Sequence, residues 1–320
     1  MPPLLELINV AKHFKVKNGM LGLQAGTVRA VDGVSLTVNR GETLGLVGES
    51  GCGKSTLAKC IMGLERITAG EVVFGGKALN AWDEKKLRRR MQMVFQDPYS
   101  SLNPRQKIGS IIRESLDIHA IGTKKERREK VIELLRLVGL RKEFGERYPH
   151  EFSGGQRQRV AVARTLALDP DLIVCDEPVS ALDVSVQAQV LGLLKDLQKR
   201  FDLTYVFISH DLSVVSHISD NVAVMYLGRI MEIGPSQTLF AAPKHPYTKA
   251  LLSAVLPPDP ARQPERIALT GDLPSPMNPP SGCPFHPRCP EAFDKCRRGR
   301  PQLMEVGGGV KTACWLYGAE

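Results

Sequence analysis

The segment G-E-S-G-C-G-K-S-T, Gly48 to Thr56, follows the apolar run T-L-G-L-V and precedes a stretch with helical patterning. Its spacing matches the phosphate-loop pattern G-x-x-x-x-G-K-[ST], and a strand before it and a helix after it are the context that pattern requires. Glycines let successive backbone N–H groups turn toward a phosphate chain, and the start of the helix adds positive charge. The segment therefore predicts a nucleotide site, with Lys54 at the β- and γ-phosphates and Ser55 on Mg²⁺. The predicted nucleotide-binding residues of this segment are Gly48, Ser50, Gly51, Gly53, Lys54, Ser55 and Thr56.

An acid pair supplies the matching carboxylates in L-I-V-C-D-E-P, residues 172–178. Asp176 ends an apolar, β-branched run typical of a buried parallel strand, where its carboxylate can bind Mg²⁺. Glu177 follows it and can orient or deprotonate an attacking water. An acid pair at a strand end also caps neighbouring helices, and the phosphate loop elsewhere in the chain favours the catalytic interpretation. Together the two motifs predict nucleotide hydrolysis.

The segment F-S-G-G-Q-R-Q-R-V-A-V-A-R, residues 152–164, narrows the prediction to a family. The sequence resembles the ATP-binding cassette (ABC) ATPases: Ser153, Gly154, Gly155 and Gln156 match the family signature, with Phe152 in place of its commoner leucine. The resemblance implies that this segment closes on ATP held by an opposite subunit. A serine and two glycines at a helix start form an anion site. A second phosphate-binding segment in the same chain is expected if each nucleotide binds between two chains.

Four further positions match the family by their context. The resemblance implies that Gln96, in M-V-F-Q-D-P, senses Mg²⁺ and the attacking water, and that Asp183, in S-A-L-D, communicates across the dimer. It implies that His210, in I-S-H-D, contacts the γ-phosphate and that Phe14, in K-H-F, stacks on adenine. An aromatic residue near an N-terminus is also common in a core, so that alternative stays open for Phe14. With Glu177, His210 and Gln96 as the catalytic residues and Mg²⁺ expected at Ser55, Gln96 and Asp176, we expect the chain to hydrolyse ATP.

The order of the elements predicts an α/β fold. Alternating strands near the N-terminus, buried parallel strands and a helical stretch predict a parallel-sheet core with an antiparallel N-terminal β portion and a helical insertion. The resemblance implies that this is an ABC-type nucleotide-binding domain. We expect this domain at 1–235, with the insertion at about 98–165. A helix and a proline-rich linker are expected at 236–280, and a small cysteine-rich C-terminal domain at 281–320. The N-V-A-V-M-Y-L-G-R-I-M-E-I-G segment predicts a hairpin at the end of the first domain.

Several longer segments resemble the dipeptide/oligopeptide importer subfamily, and most closely the second ATP-binding subunit of dipeptide transporters. They are Q-D-P-Y-S-S-L-N-P-R, E-P-V-S-A-L-D-V-S-V-Q-A-Q-V-L, H-P-Y-T-K-A-L-L-S-A and L-P-S-P-M-N-P-P-S-G-C-P-F-H-P-R-C-P. The resemblance implies a sister ATPase subunit, two membrane permease subunits and an external peptide-binding protein as partners. It implies a location on the cytoplasmic face of the inner membrane, reached through the permeases. Importers of nickel or glutathione share most of these motifs, so those substrates remain alternatives.

Four cysteines lie in the last forty residues, at Cys283, Cys289, Cys296 and Cys314. This part of the chain contains little material for a conventional core, so we expect it to need a staple. Disulfides are disfavoured in a reducing compartment, and structural zinc usually takes closely spaced cysteine pairs, which are absent here. Four thiolates can ligate a [4Fe–4S] cluster, and the resemblance to the peptide-importer tail favours it. Zinc and unligated thiols stay open as alternatives.

Composition excludes several classes and leaves one rival. The 320 residues are 42% hydrophobic and 24% charged, which excludes a wholly disordered chain, and no apolar run is long enough for a membrane helix. The first residues lack the pattern of a secretory signal. A net charge of +9 fits a soluble ABC ATPase that acts on nucleic acid or ribosomes. Such proteins usually carry paired cassettes or a coiled-coil insertion, and the sequence has neither, so we expect no nucleic-acid partner.

Overall fold

The structure is a computed structural model that describes residues 2–18, 23–97, 101–254, 267, 269 and 271–318. Residues 98–100 of the Q-D-P-Y-S-S-L-N-P-R motif and most of the predicted proline-rich linker, at 255–266, lie outside the described residues. None of the described helices has the length and apolarity required to span a bilayer. The described residues separate into two compact units, which are treated in turn.

The bounds of the strands and helices are as follows. The strands are β1 (Leu5–Asn18), β2 (Leu23–Val38), β3 (Thr43–Val47), β4 (Ala69–Phe74), β5 (Lys77–Ala78), β6 (Met91–Val94), β7 (Leu172–Asp176), β8 (Thr204–Ile208), β9 (Asn221–Tyr226), β10 (Arg229–Pro235), β11 (Met304–Glu305) and β12 (Lys311–Thr312). The helices are α1 (Lys54–Ile61), α2 (Glu84–Arg90), α3 (Ile108–Ile118), α4 (Lys124–Leu137), α5 (Gly154–Leu166), α6 (Val184–Phe201), α7 (Leu212–Ile218), α8 (Ser236–Ala241), α9 (Pro246–Ser253) and α10 (Asp294–Arg298).

The first unit, residues 1–38, 43–78 and 209–320, begins with an antiparallel sheet in the order β2-β1-β4-β5. β1 and β2 pair along their whole length, with register shifts on either side of Val10. Apolar side chains two residues apart are buried along these strands, as period-two alternation requires: Leu5 and Leu7 on β1, and Val34, Leu36 and Val38 on β2. The expected antiparallel N-terminal portion is therefore present.

A second group of strands in the same unit carries the phosphate-loop segment. β3 is wholly buried and pairs in parallel with β9, which pairs antiparallel with β10. The two-residue turn of this hairpin has φ of 42° at Leu227 and 77° at Gly228. Positive φ at both turn residues is the geometry that matches the twist of the flanking strands, and glycine adopts it without strain. The predicted hairpin is confirmed.

The second unit, residues 39–42 and 79–208, combines the parallel strands β6, β7 and β8 with α2 to α6. All five residues of β7 and of β8 are buried, as the apolar β-branched runs predict for strands covered on both faces. Two of the helices in the 98–165 stretch begin at capping boxes. Thr123 and Glu126 form a capping box on α4, and Ser153 and Gln156 form one on α5.

The cysteine-rich tail differs from its expected form as a separate, stapled domain. Its described residues belong to the first unit, where β12 pairs with β10 and β11 pairs with β12. Phe285 and Val310 are fully buried, and the ring of Phe285 lies 5.4 Å from that of Tyr226 on β9. Because these apolar side chains pack on the first unit, the tail shares a core instead of building its own. The structure does not support an independent cysteine-rich extension.

Candidate active site

The loop from Gly48 to Gly53 joins β3 to α1 in a conformation that depends on glycine. Gly53 precedes α1 with φ of 110°, a value that side chains rarely adopt. A Cβ there would meet the carbonyl oxygen of Ala30. The hairpin turn also holds this loop, because Gly228 donates its N–H to the carbonyl of Cys52 at 2.8 Å. The loop is therefore fixed on the first unit, with Ser50, Gly51 and Ser55 exposed.

Lys54 lies folded back over this loop. Its side chain is only 6% exposed, and its Nζ donates to the carbonyl oxygens of Gly48 at 2.7 Å and Glu49 at 3.0 Å. A buried ammonium held by neutral carbonyls, beside the first turn of a helix, is an arrangement that fits a phosphate anion. Cys52 is buried in the same loop, and burial raises the pKa of its thiol. Cys52 therefore packs beneath the loop.

Two other predicted residues lie in the first unit. Ser209 donates its N–H to the carbonyl of Leu46, near the end of β3, and so holds the neighbouring His210 backbone beside the strand that leads into the loop. The side chain of His210 is exposed. Phe14 lies on β1 opposite Val28, half-buried, with Lys12 Nζ 4.6 Å from its ring centroid.

The second unit brings Gln96 and Glu177 together. Asp176 is the last residue of β7 and is 7% exposed. Glu177 follows with φ of 47°, a left-handed conformation that costs a non-glycine residue about 1–3 kcal/mol. Its N–H donates to the carbonyl of Ile208 at 3.0 Å, and Gln96 Nε2 donates to its Oε2 at 3.2 Å. The strained backbone turns the Glu177 carboxylate away from the strand and toward Gln96.

The signature segment starts α5 in the same unit. Ser153 Oγ accepts from the N–H of Gln156 at 3.4 Å, and Gln156 Oε1 accepts from the N–H of Ser153 at 3.1 Å. Ser153 and Gly154 are exposed, so the start of the helix is accessible. Phe152 is buried, with its ring edge-on to that of Phe144 at 5.3 Å. The larger residue at this signature position therefore anchors the segment.

Asp183 precedes the longest helix of the second unit as the N-cap residue of α6. Its side chain is exposed, and its carbonyl accepts the first intrahelical bond from Gln187 at 2.8 Å. Val184, next to it, is 82% exposed. An apolar side chain this exposed beside a predicted inter-subunit contact is compatible with burial against a second chain.

The four tail cysteines are close enough to affect one another. Burial raises the pKa of Cys283 to about 12 and that of Cys314 to about 11, and neighbouring cysteines of the set add to both shifts. Nevertheless, no group of three or more His, Cys, Asp or Glu side chains within the described ranges is arranged to hold a metal ion. All four thiols are free, and three of them are buried. The predicted [4Fe–4S] cluster and its zinc alternative are therefore not supported by this arrangement.

Two residues that no catalytic or binding motif marks contact the phosphate loop. Tyr247 Oη accepts the N–H of Glu49 at 3.0 Å, and Arg288 Nη1 donates to the carboxylate of Glu49. Both lie in segments that were noted only for their resemblance to a subfamily. No local pattern marks them, because each lies about 200 residues or more from Glu49 along the chain.

Comparison with protein families gives two matches along the chain. Residues 31–180 match the model of the ABC transporter family, and residues 231–296 match the model of the oligopeptide/dipeptide transporter C-terminal region. The second match contains Cys283, Cys289 and Cys296 but ends before Cys314. The first match contains the phosphate loop, and the second contains most of the C-terminal part of the chain.

Curated relatives match nearly the whole chain. The dipeptide transport ATP-binding protein DppF of Haemophilus influenzae is 56% identical, over 98% of this chain and 96% of its own length. The oligopeptide transport ATP-binding protein AppF of Bacillus subtilis is 53% identical, over 98% and 97%. DppF of Escherichia coli is 53% identical, over 98% and 94%.

Solved structures match a smaller share of the chain. A dimeric post-hydrolysis state of the ATP-binding cassette MJ0796, bound to ADP and Pi, has a TM-score of 0.64 at 29% identity and covers 72% of this chain and 98% of its own. The cbiO1 protein of Clostridium perfringens, part of the cbiONQ transporter complex, has a TM-score of 0.65 at 27% identity, with coverage of 76% and 92%.

Proposed function

Since the chain belongs to the ABC transporter family of ATPases, we propose that it hydrolyses ATP to power the import of dipeptides or oligopeptides. The observation that carries this proposal is the extent of similarity. Peptide-transport ATP-binding proteins match 98% of the chain, whereas the solved cassettes cited above match 72–76% of it. The tail also matches the C-terminal region of oligopeptide/dipeptide transporters. Peptide transport is therefore favoured over the nucleic-acid, nickel and glutathione alternatives.

In the proposed reaction, the first unit binds the phosphates of ATP. Lys54 exchanges its loop carbonyls for the β- and γ-phosphate oxygens, and the backbone of Gly48, Ser50, Gly51 and Gly53 surrounds them. Ser55 and Thr56 start α1 at the phosphates. His210 contacts the γ-phosphate, and Phe14 stacks on the adenine. The accessible Ser50, Gly51 and Ser55 and the buried Lys54 ammonium support this assignment.

Asp176, Glu177 and Gln96 supply the hydrolytic groups. The hydroxyl of Ser55, the carboxylate of Asp176 and the amide oxygen of Gln96 are hard oxygen ligands suited to Mg²⁺, which neutralises charge on the phosphates when bound. Glu177 takes a proton from the attacking water, and Gln96 orients that carboxylate through its hydrogen bond. The strained backbone of Glu177 and its contact with Gln96 support this division of roles.

A second ATPase subunit completes the proposed working form. Ser153, Gly154, Gly155 and Gln156 contact ATP bound by the opposite subunit, and Asp183 lies at the contact between the subunits. The exposed start of α5 and the exposed Val184 support this arrangement. The opposite subunit is proposed to be a sister ATPase, so the pair is a heterodimer. Two permease subunits hold the pair at the cytoplasmic face of the membrane, and an extracytoplasmic binding protein delivers the peptide.

A transport assay tests this function. A strain that lacks this chain should lose uptake of a labelled dipeptide, and the wild-type gene should restore it. Lys54→Ala should fail to restore uptake, whereas Lys59→Ala, at an exposed position of the same helix, should restore it. Peptide uptake that persists in the deletion strain while nickel or glutathione uptake is lost would overturn the proposed substrate.

For the tail, we propose that Cys283, Cys289, Cys296 and Cys314 ligate a [4Fe–4S] cluster. The resemblance to peptide-importer tails supports this assignment, as does the match of residues 231–296 to the C-terminal region of oligopeptide/dipeptide transporters, which contains three of the four cysteines. The described side chains do not form a preformed metal site. No step of ATP hydrolysis is assigned to the cluster.

Metal analysis of anaerobically purified protein tests the cluster. About four iron and four sulfide per chain are expected, with broad visible absorption. Cys289→Ser should lose this iron, whereas Cys60→Ser, at a buried cysteine of α1, should keep it. One zinc and no iron, or no metal at all, would overturn the proposal.

A further inference from the structure

The tail contacts the phosphate loop at one residue, Glu49. This residue is the second of the loop, and its side chain is 25% exposed. Arg288 Nη1 lies 3.0 Å from both of its carboxylate oxygens, and the side chain of Arg288 is only 8% exposed. An ion pair with so little solvent around it is screened far less than a surface pair. The Glu49–Arg288 ion pair is therefore stronger than an exposed salt bridge at the same distance.

A second contact from the C-terminal part holds the backbone of the same residue. The N–H of Glu49 donates to Tyr247 Oη at 3.0 Å, and Tyr247 is fully buried. Tyr247 is fixed in turn by the start of α9, where its own N–H donates to His245 Nδ1 at 3.0 Å. The N–H groups of Lys244 and His245 donate to the buried carboxylate of Glu232 on β10. A chain of hydrogen bonds thus extends from β10 to the phosphate loop.

Aromatic packing makes this support rigid. The rings of Tyr226, Tyr247 and Phe285 lie 4.7–5.4 Å apart, centroid to centroid, and all three side chains are fully buried. Arg288 Nη1 also lies 3.5 Å from Tyr226 Oη. Neither Tyr247 nor Arg288 can leave Glu49 without disturbing this packed cluster.

The charge of Glu49 explains why the support matters for nucleotide binding. The carbonyl of Glu49 is one of the acceptors that hold Lys54 Nζ, so its carboxylate belongs to the residue beside the phosphate-binding ammonium. A half-buried carboxylate without a partner at this position would repel the phosphates of ATP. Arg288 neutralises it and holds it in place, while Tyr247 fixes the peptide that carries it.

We propose that Arg288 and Tyr247 are positioning residues for ATP, which act through Glu49 to keep the phosphate loop neutral and ordered. The ATP affinity of this chain then depends on a folded tail. The inference rests on the proposed function, in which this loop binds the phosphates of ATP. It assigns to the tail a task in nucleotide binding that does not require a metal.

ATP hydrolysis by the purified full-length chain tests the inference, with KM and kcat measured separately. Arg288→Gln should raise the KM for ATP roughly 10-fold, the usual effect of losing one hydrogen bond to a charged group, while kcat changes much less. Adding Glu49→Gln to Arg288→Gln should restore KM to within about 2-fold of wild type, because it removes the unpaired charge. A purely structural role for Arg288 would instead reduce the amount of folded enzyme, which lowers the apparent kcat and leaves KM unchanged.

Two further variants keep the test decisive. Arg298→Gln, at an 82% exposed arginine of the same tail, is the matched control and should leave KM unchanged. If Arg288→Gln does not fold, Tyr247→Phe keeps the packed ring and removes only the acceptor, and should raise KM roughly 3-fold.

The possible failures are separable. If wild-type protein hydrolyses ATP and Lys54→Ala abolishes it, the loop is the nucleotide site. The inference is then overturned if folded Arg288→Gln or Tyr247→Phe has an unchanged KM. It is also overturned if the double variant has a KM as high as that of Arg288→Gln. In both cases the assignment of the loop as the nucleotide site stands. If Lys54→Ala has no effect on hydrolysis, the assignment of the loop fails first.

Discussion

At the scale of single residues, Glu177 combines strain with a specific partner. Its φ of 47° and its contact with Gln96 fix the direction of the carboxylate before any substrate is bound. A strained residue held in this way at the end of a buried strand is a common feature of catalytic sites.

Glu177→Gln should therefore keep ATP affinity and lose turnover by roughly 10²–10⁴-fold, the usual contribution of a general base. Because the amide is isosteric with the carboxylate, binding of ATP should persist, and the closed dimer should accumulate. Steady-state hydrolysis and gel filtration in the presence of ATP measure the two effects. Hydrolysis near the wild-type rate would show that another group acts as the base.

Residue identity could be predicted well where a motif is local. Lys54, Asp176 and Glu177 are predictable because each belongs to a short, ordered pattern at the end of a buried strand or just after it. Arg288 could not be found in this way, since its partner Glu49 lies 239 residues earlier and neither residue belongs to a periodic pattern. Such pairs are set by tertiary packing alone.

At the scale of elements, two helices of the second unit begin with the same capping box. On α4 the residues are Thr123 and Glu126, and on α5 they are Ser153 and Gln156. Because the two caps have the same local chemistry, a change in one is a control for a change in the other. The difference between the effects of the two changes measures what the signature segment contributes apart from capping α5.

Ser153→Ala and Thr123→Ala should each cost about 1 kcal/mol of stability, the usual value of an N-cap hydroxyl. Only Ser153→Ala should also lower ATP hydrolysis, because its hydroxyl is proposed to meet the nucleotide of the opposite subunit. Thermal unfolding and steady-state hydrolysis of both variants measure the two effects. Equal hydrolysis in the two variants would remove the nucleotide role of Ser153.

The elements themselves were predictable in proportion to their length. The buried strands β7 and β8 and the hairpin of β9 and β10 follow from five- to seven-residue patterns. The tail strands β11 and β12 are two residues each and carry no periodic signal. β12 forms because the edge of β10 offers it backbone partners, and β11 pairs in turn with β12, which the sequence pattern does not reveal.

At the scale of the whole molecule, a buried histidine makes stability depend on pH. His245 is 2% exposed, and burial lowers its pKa from 6.5 to about 3, with a smaller effect from Lys249 and an opposing one from the backbone of Ala313. Below pH 6.5, His245 therefore binds a proton in the unfolded chain but remains neutral in the folded chain. The stability contributed by neutral His245 is present above pH 6.5 and is lost as pH falls from 6.5 toward 3.

The melting temperature should accordingly fall on acidification below pH 6.5. Protonation of this residue lowers the free energy of unfolding by up to about 1.4 kcal/mol per pH unit. His245→Asn keeps an acceptor for the N–H of Tyr247 and should flatten the acidic side of the profile. The exposed His150→Asn is the control and should leave the slope unchanged. Burial raises the pKa of nearby Glu232, which acts in the opposite direction, so the difference between variant and wild type is the relevant quantity. Identical slopes in wild type and His245→Asn would exclude this histidine as the source.

The contact between Glu49 and Arg288 also fixes an order in time. A ribosome adds about 5–20 residues per second, so the 239 residues between the two take roughly 10–50 seconds to make. During that interval the phosphate loop has been synthesised, but Tyr247, Arg288 and the Gly228 turn that brace it have not. A nascent or prematurely ended chain therefore carries the nucleotide motif without its braces. On the proposal above, the full affinity for ATP is expected only after Arg288, at the start of the last tenth of the chain, has left the ribosome.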